Sequence, residues 1–146
     1  DTVGDACLDS AWAGNPHLVI FANGRPEERH LVAMASKVRE TGVFESGVNI
    51  SIAFAVSAER VVAMTDERGV GPTQACASGA AAIVATGRRA GLLESTCTVA
   101  MPGGELAIEL VAHPEAIDTP PIARISGTAE IVFSGTLPLS AAGFEA

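Results

Sequence analysis

The chain has 146 residues, a hydrophobic content of 48%, a charged content of 18% and a formal net charge of -8 at pH 7. This length suits one domain with a buried core, and the composition excludes both a disordered chain and a membrane-spanning one, because no uncharged apolar stretch reaches the roughly 20 residues that cross a bilayer. The acidic balance argues against nucleic acid as a partner, since binding to a phosphate backbone requires clustered basic residues and those of this chain are scattered.

The cysteines and histidines lack the spacing of a metal site. Cys7, Cys76 and Cys97 form no CxxC pair, and the histidines are not spaced with them as metal ligands are. A sparse, odd number of cysteines favours free thiols in a reducing compartment, so we expect a cytoplasmic protein without a metal. The chain starts at Asp1 rather than at methionine, which leaves open a targeting segment or a preceding domain.

An apolar run near the start predicts a strand, and the segment after it predicts a helix. Residues 11–22 are largely apolar, but Gly14 and Pro16 force an edge, a bulge or a turn, so we expect a kink with exposed backbone at 14–17. Over residues 31–38 apolar side chains recur at three- and four-residue spacing, which predicts an amphipathic helix that covers a sheet.

The middle of the chain predicts a hairpin followed by a buried helix. The β-branched runs 49–57 and 59–66 are separated by little more than one residue, so they predict paired strands that deliver Glu67 and Arg68 at their far end. Residues 75–86 carry no charge and are small or apolar on every side, which predicts a central helix that is buried all round.

The last third of the chain predicts four more strands. Residues 95–101 and 105–112 flank a Pro-Gly-Gly turn and predict a second hairpin, whereas 113–121 have the composition of a loop. Residues 122–127 and 128–135 predict another strand pair. Strands that surround one apolar helix indicate an α/β or α+β domain, in which a curved sheet wraps around that helix.

Cys76 lies where a glycine-rich turn becomes the central helix, in the stretch ERGVGPTQACASGA. Unpaired N–H groups in a first helical turn carry partial positive charge and stabilise a thiolate, and those of Ala77 and Ser78 can hold an oxyanion or a carboxylate beside the sulfur. The alternative is a small core residue, which is the commonest role of a free cysteine in an alanine-rich helix.

Residues near this cysteine carry further candidate chemistry, each with a structural alternative. Gly69 and Gly71 allow the backbone to approach a ligand closely, or they form an ordinary hairpin exit turn. Arg68 can pair with a substrate carboxylate and Glu67 can bind an ammonium group or tune a base, although an adjacent Glu-Arg pair is often a solvated strand end. His17 can assist proton transfer or serve a structural role near a bulge.

Four motifs carry a resemblance to a known family: GNPHLVIF at 14–21, GVNISI at 47–52, ERGVGPTQACASGA at 67–80 and PGGELAIEL at 102–110. Their order and spacing resemble the second half of diaminopimelate epimerase. The resemblance implies a domain with a curved, mostly antiparallel sheet around a central helix. It also implies an enzyme that uses no pyridoxal or other cofactor and converts LL-diaminopimelate to the meso form for lysine and cell-wall synthesis. The isolated chain is then expected to be inactive without a preceding N-terminal domain, and a homodimer is left open.

The resemblance also implies roles for individual residues. Cys76 matches the second of two thiols, and neither Cys7 nor Cys97 has the glycine-rich turn that should present the first, which lies on the opposite domain. His17 and Glu67 match residues that assist proton movement. Substrate binding is implied for Asn15, Asn49 and Arg68 at the distal carboxylate, for the backbone of Glu67 and Arg68 at the distal amine, and for the amides of Ala77 and Ser78 at the reacting carboxylate.

Chemical reasoning favours two acid–base groups over a pyridoxal cofactor. Inversion of a stereocentre by proton transfer requires a base and an acid on opposite faces, and the only lysine, Lys37, lies in the amphipathic helix with no motif around it. Two positions depart from the family pattern, because Ala77 replaces a glycine and Pro72 replaces an acidic residue. The alternatives are another cofactor-independent racemase or isomerase, including a phenazine-biosynthesis-like one, and a non-catalytic amino-acid-binding module.

Overall fold

Segments of strand length, many of them rich in valine and isoleucine, form one sheet in the computed structural model, which describes residues 7–112 and 119–136. The strands are β1 (Cys7–Trp12), β2 (Pro16–Phe21), β3 (Asn49–Ser57), β4 (Arg60–Glu67), β5 (Gly71–Thr73), β6 (Thr96–Met101), β7 (Gly104–Val111) and β8 (Ile122–Ser126). The helices are α1 (Glu28–Glu40) and α2 (Ala77–Arg89). Neither helix of this described part is long and apolar enough to cross a membrane.

The sheet is mixed but mostly antiparallel. Its strand order is β1-β2-β3-β4-β6-β7-β8, and the short β5 pairs with β4 outside this path. The pairs β2 with β3 and β4 with β6 are parallel, and the remaining pairs are antiparallel. Each parallel pair is joined by a connection that contains a helix, because a crossover is needed to return the chain in the same direction.

The inner face of the sheet curls around α2. The helix contacts strands from β1 at one edge of the sheet to β8 at the other, which confirms the predicted curved sheet around a central helix. Small residues dominate its buried positions because the sheet approaches closely. From Gly79 to Gly87 every residue of α2 is buried except Ala85, which is partly buried, and this confirms the predicted buried central helix. Ser78, Ala81 and Ala85 line a cavity of about 800 Å³ between β1 and β8.

The outer face of the sheet packs against α1. Leu31 and Ala35 of this helix form a second apolar cluster with residues that include Ile20, Ile50 and Ile52. Strands β2 and β3 are thus covered on both faces, which explains their nearly continuous hydrophobic sequences. The amphipathic helix that the sequence predicts has the predicted function of covering the sheet.

An ion pair ties α1 to the end of β4. The guanidinium of Arg39 binds the carboxylate of Asp66, whose side chain is only 3% exposed. Because side chains alternate along a strand, Asp66 faces α1 while its neighbours Thr65 and Glu67 face α2. The pair therefore helps to fix the segment that presents Glu67 on the inner face.

Three segments differ from the sequence predictions. Residues 13–15 form a hairpin turn between β1 and β2, with Gly14 at a φ of 79°, rather than a kink within one strand. The strand predicted over 128–135 is wrong, because 127–136 forms neither strand nor helix. Strand β5 was not predicted, since three residues are too few to show a periodicity. The predicted loop at 113–121 lies mostly outside the described residues.

Candidate active site

The inner face of the sheet carries a row of polar side chains at one end. His17 of β2 pairs with Asn49 of the parallel strand β3. In the antiparallel β3–β4 ladder Ile50 pairs with Asp66, so the next position places Asn49 opposite Glu67. Residues opposite each other in a ladder share a face, so His17, Asn49 and Glu67 lie side by side and face α2. His17 and Asn49 are buried, whereas Glu67 is partly exposed.

Hydrogen bonding favours one tautomer of His17. Its Nε2 lies 2.8 Å from Oδ1 of Asn15, which is an acceptor, and 3.4 Å from Nδ2 of Asn49, which is a donor. The shorter contact favours the Nε2–H tautomer, which donates to Asn15. Nδ1 then keeps a lone pair, and this buried atom has no partner among the described residues. Burial lowers the pKa of His17 below its usual value of 6.5, and the negative charge of Glu67 only partly opposes that shift. The imidazole is therefore neutral at pH 7 and can accept a proton at Nδ1.

Asn49 and the turn that precedes β3 hold Arg68. The backbone N–H of Arg68 donates to Oδ1 of Asn49 at 2.8 Å, and its Nη1 donates to the carbonyl of Ser46 at 2.6 Å. The side chain lies over Gly47, where an added Cβ would come within 2.6 Å of Cδ of Arg68. Gly47 has a φ of 74°, so the turn requires glycine both for this conformation and for the missing side chain. The guanidinium is thus placed before any ligand binds.

Strand β5 positions Glu67. The hydroxyl of Thr73 donates to Oε1 of Glu67 at 2.7 Å across the β4–β5 hairpin. Gly69 and Gly71 shape this hairpin at φ values of 79° and 93°, which glycine adopts without strain. The two glycines therefore form the hairpin exit turn that was the structural alternative, and that turn adjoins the polar row.

Cys76 is the N-cap residue of α2, in an extended conformation with φ of -137° and ψ of 107°. Its Sγ accepts a hydrogen bond from the backbone N–H of Gly79 at 3.4 Å and lies 3.5 Å from Oγ of Ser78. Such contacts at a helix N-terminus stabilise the thiolate, which is the form of cysteine that acts as a base or nucleophile. Cys76 marks the start of the helix, as the sequence predicts.

The first turn of α2 leaves two amides open. The N–H of Cys76 donates to Sδ of Met101 at 3.3 Å, and that of Gly79 is taken by the sulfur of Cys76. The N–H groups of Ala77 and Ser78 have no hydrogen-bond partner in the described part of the chain. The first four N–H groups of a helix cannot bond within the helix, so these two are available for an anionic group beside the sulfur.

Gly79 brings the thiol and the polar row to the same end of the inner face. A Cβ added at Gly79 would lie 3.2 Å from Sγ of Cys76 and 3.0 Å from Oγ1 of Thr65. Thr65 pairs with Ser51 at 2.8 Å and precedes Glu67 by two residues on the same face of β4. The first turn of α2 therefore packs directly against the sheet beside the row, although no hydrogen bond between described residues joins Cys76 to it.

The other two cysteines lie outside this arrangement. Cys97 is buried on β6, and burial raises the pKa of its thiol to about 11, so that it stays protonated at neutral pH. Cys7 lies on the edge strand β1, where it pairs with Phe21. Within the described residues no cluster of histidine, cysteine and carboxylate side chains could hold a metal ion.

Sequence reasoning missed several residues that contact candidate site residues directly, among them Thr73, Gly79 and Met101. The first two lie within the motif around Cys76, so their closeness in sequence was a usable signal. Met101 is 25 residues from Cys76, and no pattern in the sequence links the two.

Comparison with known proteins identifies relatives of this arrangement. The family model for diaminopimelate epimerase matches residues 10–124. The diaminopimelate epimerase of Methanothermobacter thermautotrophicus is 32% identical over 133 residues, which cover 91% of this chain and 45% of that protein. The diaminopimelate epimerase of Neisseria meningitidis serogroup A is 38% identical over 136 residues, covering 87% of this chain and 43% of its own length. The chain thus spans less than half the length of these relatives.

A solved structure shares the fold. A hydroxyproline epimerase from Agrobacterium vitis aligns with a TM-score of 0.60 over 84% of this chain and 42% of its own, at 12% sequence identity. At that identity the likeness shows the common fold, a curved sheet around a helix, and nothing about the substrate.

Proposed function

Because the chain belongs to the diaminopimelate epimerase family, we propose that it forms the C-terminal half of an enzyme that epimerises LL-diaminopimelate to the meso form without a cofactor. Cys76 supplies one of two acid–base thiols, and the other comes from the remaining half of the enzyme. The observation that carries this proposal is the N-cap geometry of Cys76, with a backbone N–H on its sulfur and two open amides beside it.

Proton transfer at an α-carbon matches the chemistry of this helix start. The amides of Ala77 and Ser78 bind the carboxylate next to the reacting carbon, so that carbon lies beside Sγ of Cys76. Removal of the α-proton develops negative charge that spreads into the carboxylate, where the two N–H groups and the helix dipole stabilise it. The sulfur takes the proton as a thiolate, or delivers one as a thiol. Since one side chain reaches only one face of the carbon, inversion requires a second acid–base group on the other face.

His17 and Glu67 assist the movement of protons to and from the thiols. His17 is neutral and has a buried lone pair on Nδ1 without a described partner, which suits it to accept a proton. The carboxylate of Glu67 is held by Thr73 in the same row. Both side chains lie on the face of the sheet against which the first turn of α2 packs.

The distal end of the substrate binds to Asn15, Asn49 and Arg68 through its carboxylate, and to the backbone of Glu67 and Arg68 through its amine. The exposed side chain of Arg68 already donates from Nη1 to the carbonyl of Ser46, which reduces the ordering that binding requires. A guanidinium suits this role because it presents a fork of donors that matches a carboxylate.

The difference in length between this chain and its relatives is consistent with a second thiol in the other half of the enzyme. The chain covers 45% and 43% of the two diaminopimelate epimerases described above. Cys97 is protonated and buried, and Cys7 has no part in the contacts around Cys76. The second thiol is therefore assigned to the other half of the enzyme.

Isotope exchange tests this proposal. LL-diaminopimelate is incubated in deuterium oxide with the chain alone and with the chain mixed with its other half, and α-deuteration and the meso product are measured. We expect no conversion by the chain alone, conversion by the mixture, and a loss of about 100-fold or more when Cys76→Ala is used. The matched control Cys97→Ala retains activity. Conversion by the chain alone, or by the Cys76→Ala mixture, contradicts the two-thiol mechanism.

A racemase for a monocarboxylic amino acid is the second candidate, because Ala77 adds a side chain at the anion cradle and Pro72 changes the hairpin beside Glu67. Replacement of Arg68 by methionine distinguishes the two. For diaminopimelate we expect kcat/KM to fall by about 10- to 100-fold, because one charged hydrogen bond is lost. For a monocarboxylic substrate we expect a much smaller fall in kcat/KM. Equal losses favour the second candidate. Calorimetric binding of diaminopimelate to the mixture without any exchange favours a binding module.

A further inference from the structure

The turn between β6 and β7 packs against the backbone that leads into Cys76. The N–H of Gly103 donates to the carbonyl of Gln74 at 2.7 Å, and Sδ of Met101 accepts the N–H of Cys76 at 3.3 Å. Gly103 thus holds Gln74, and Met101 holds Cys76. The contacts join segments that are far apart in sequence.

Met101 is the acceptor for the backbone N–H of Cys76, to which no backbone carbonyl in the described part of the chain bonds. Its side chain is buried, and the amide that it binds belongs to the N-cap residue of α2, which has no partner within the helix. A thioether is a weak acceptor, but a buried N–H that loses its acceptor pays a desolvation cost and tends to shift toward another partner. Any such shift moves Cys76 relative to the N–H of Gly79, which its sulfur accepts.

Gly103 leaves little space for a side chain. A Cβ added there would lie 3.0 Å from Cβ and from the carbonyl oxygen of Gln74, and 3.2 Å from its carbonyl carbon. Two of these three atoms belong to the backbone, so the neighbour cannot move aside by a change of rotamer. Even alanine at 103 therefore shifts Gln74, which lies between the end of β5 and Cys76, by a few tenths of an ångström.

We propose that Met101 and Gly103 are positioning residues for Cys76, which hold its backbone so that its sulfur meets the N–H of Gly79 while the amides of Ala77 and Ser78 stay open. The inference rests on the proposed function only in taking Cys76 as the reacting thiol. It makes no assumption about the substrate or about the other half of the enzyme.

Thiol labelling tests the role of Met101. The chain is pulsed with methyl methanethiosulfonate between pH 6 and pH 9, and the modification of each cysteine peptide is followed by mass spectrometry. In Met101→Leu we expect Cys76 to react about three- to tenfold more slowly at pH 7 and to approach the parent rate at high pH. This magnitude corresponds to the loss of a large part of the hydrogen bond from the N–H of Gly79 to the sulfur. Met64→Leu is the matched control, since it makes the same exchange at a partly buried site in the other apolar cluster, and should stay within about twofold of the parent.

Cys97 separates a local effect from unfolding. Cys97 and Cys76 are both buried, at 2% and 5% exposure, but burial raises the pKa of Cys97 to about 11 and keeps its thiol protonated at neutral pH, so Cys97 reacts only when the chain opens. Slower reaction of Cys76 with unchanged Cys97 supports positioning by Met101. The same pH profile in Met101→Leu and Met64→Leu overturns it.

A second pair of variants covers the case in which Met101→Leu fails to fold. Gly103→Ala should slow the reaction of Cys76, whereas Gly24→Ala, where nothing lies within 4 Å of an added Cβ, should not. Equal rates in these two variants contradict the inference. The labelling needs no substrate, so it can support positioning by Met101 even if the isotope exchange assay shows no epimerase activity. Epimerase activity can likewise be found when the labelling contradicts positioning, so the two proposals are judged separately.

Discussion

Two glycines of α2 allow the stability of the fold to be separated from the reactivity of Cys76. Alanine is favoured over glycine in a helix by about 1 kcal/mol, because glycine loses more backbone entropy. At Gly87 an added Cβ would lie 2.5 Å and 2.7 Å from Cδ1 and Cγ of Leu93 and 2.8 Å from Cζ of Phe21. Overpacking of a core costs about 1–3 kcal/mol, so Gly87→Ala should lower the free energy of unfolding by up to about 2 kcal/mol.

At Gly79 the contacts are longer and the consequence differs. The nearest atoms to an added Cβ are Oγ1 of Thr65 at 3.0 Å and Cβ and Sγ of Cys76 at 3.2 Å. Neighbours need to move only slightly, so the gain in helix propensity roughly cancels the contact cost and stability should stay within about 1 kcal/mol. The groups that must move are the hydroxyl of Thr65 and the sulfur of Cys76, whose hydrogen bond from the N–H of Gly79 spans 3.4 Å and is weakened or lost by that movement. Its loss costs about 1.4 kcal/mol, which corresponds to a roughly tenfold slower reaction of Cys76 at pH 7.

Urea unfolding and the rate of Cys76 methylthiolation measure the two quantities. We expect Gly87→Ala to be less stable with a native-state rate near that of the parent, and Gly79→Ala to be nearly as stable with a slower rate. Reaction of Cys97 reports any contribution from global opening, because its thiol is protonated and buried. If Gly79→Ala changes stability but not the rate, the proposed contact between residue 79 and the sulfur does not control the thiol, and the reasoning is refuted.

Two further predictions concern stability. Because burial lowers the pKa of His17, the unfolded chain binds its proton more tightly, so the free energy of unfolding should fall as pH drops below about 6.5, and His17→Gln should lose this part of the pH dependence in urea titrations. Arg39→Met leaves the buried carboxylate of Asp66 without its cation and should cost about 1–3 kcal/mol, whereas Arg29→Met, which breaks an exposed pair, should cost less than about 1 kcal/mol. An unchanged pH dependence in His17→Gln, or equal losses in the two arginine variants, contradicts these expectations.

Local patterns predicted the elements that carry strong signals. The helix over 31–38 and the hairpin over 49–66 follow from side-chain periodicity, which acts within a few residues. The strand predicted over 128–135 has the same kind of pattern but forms no strand, because a strand also needs a neighbour with which to pair. Gly14 and Pro16 predict an edge, a bulge or a turn, but the sequence does not show whether the chain reverses at Gly14 or continues with a kink.

The sequence by itself determined the class of fold, the family and the position of Cys76 at the start of α2, because turn glycines, apolar periodicity and motif order are all local properties of the chain. Only the tertiary structure decided which groups meet there. Three features depend on strand register and on packing between distant segments: the Nδ1 of His17 that no described residue contacts by a hydrogen bond, the hydroxyl of Thr73 on Glu67 and the sulfur of Met101 on Cys76. A residue's type sets what it can do, whereas its partners are set by how the sheet curls around the helix.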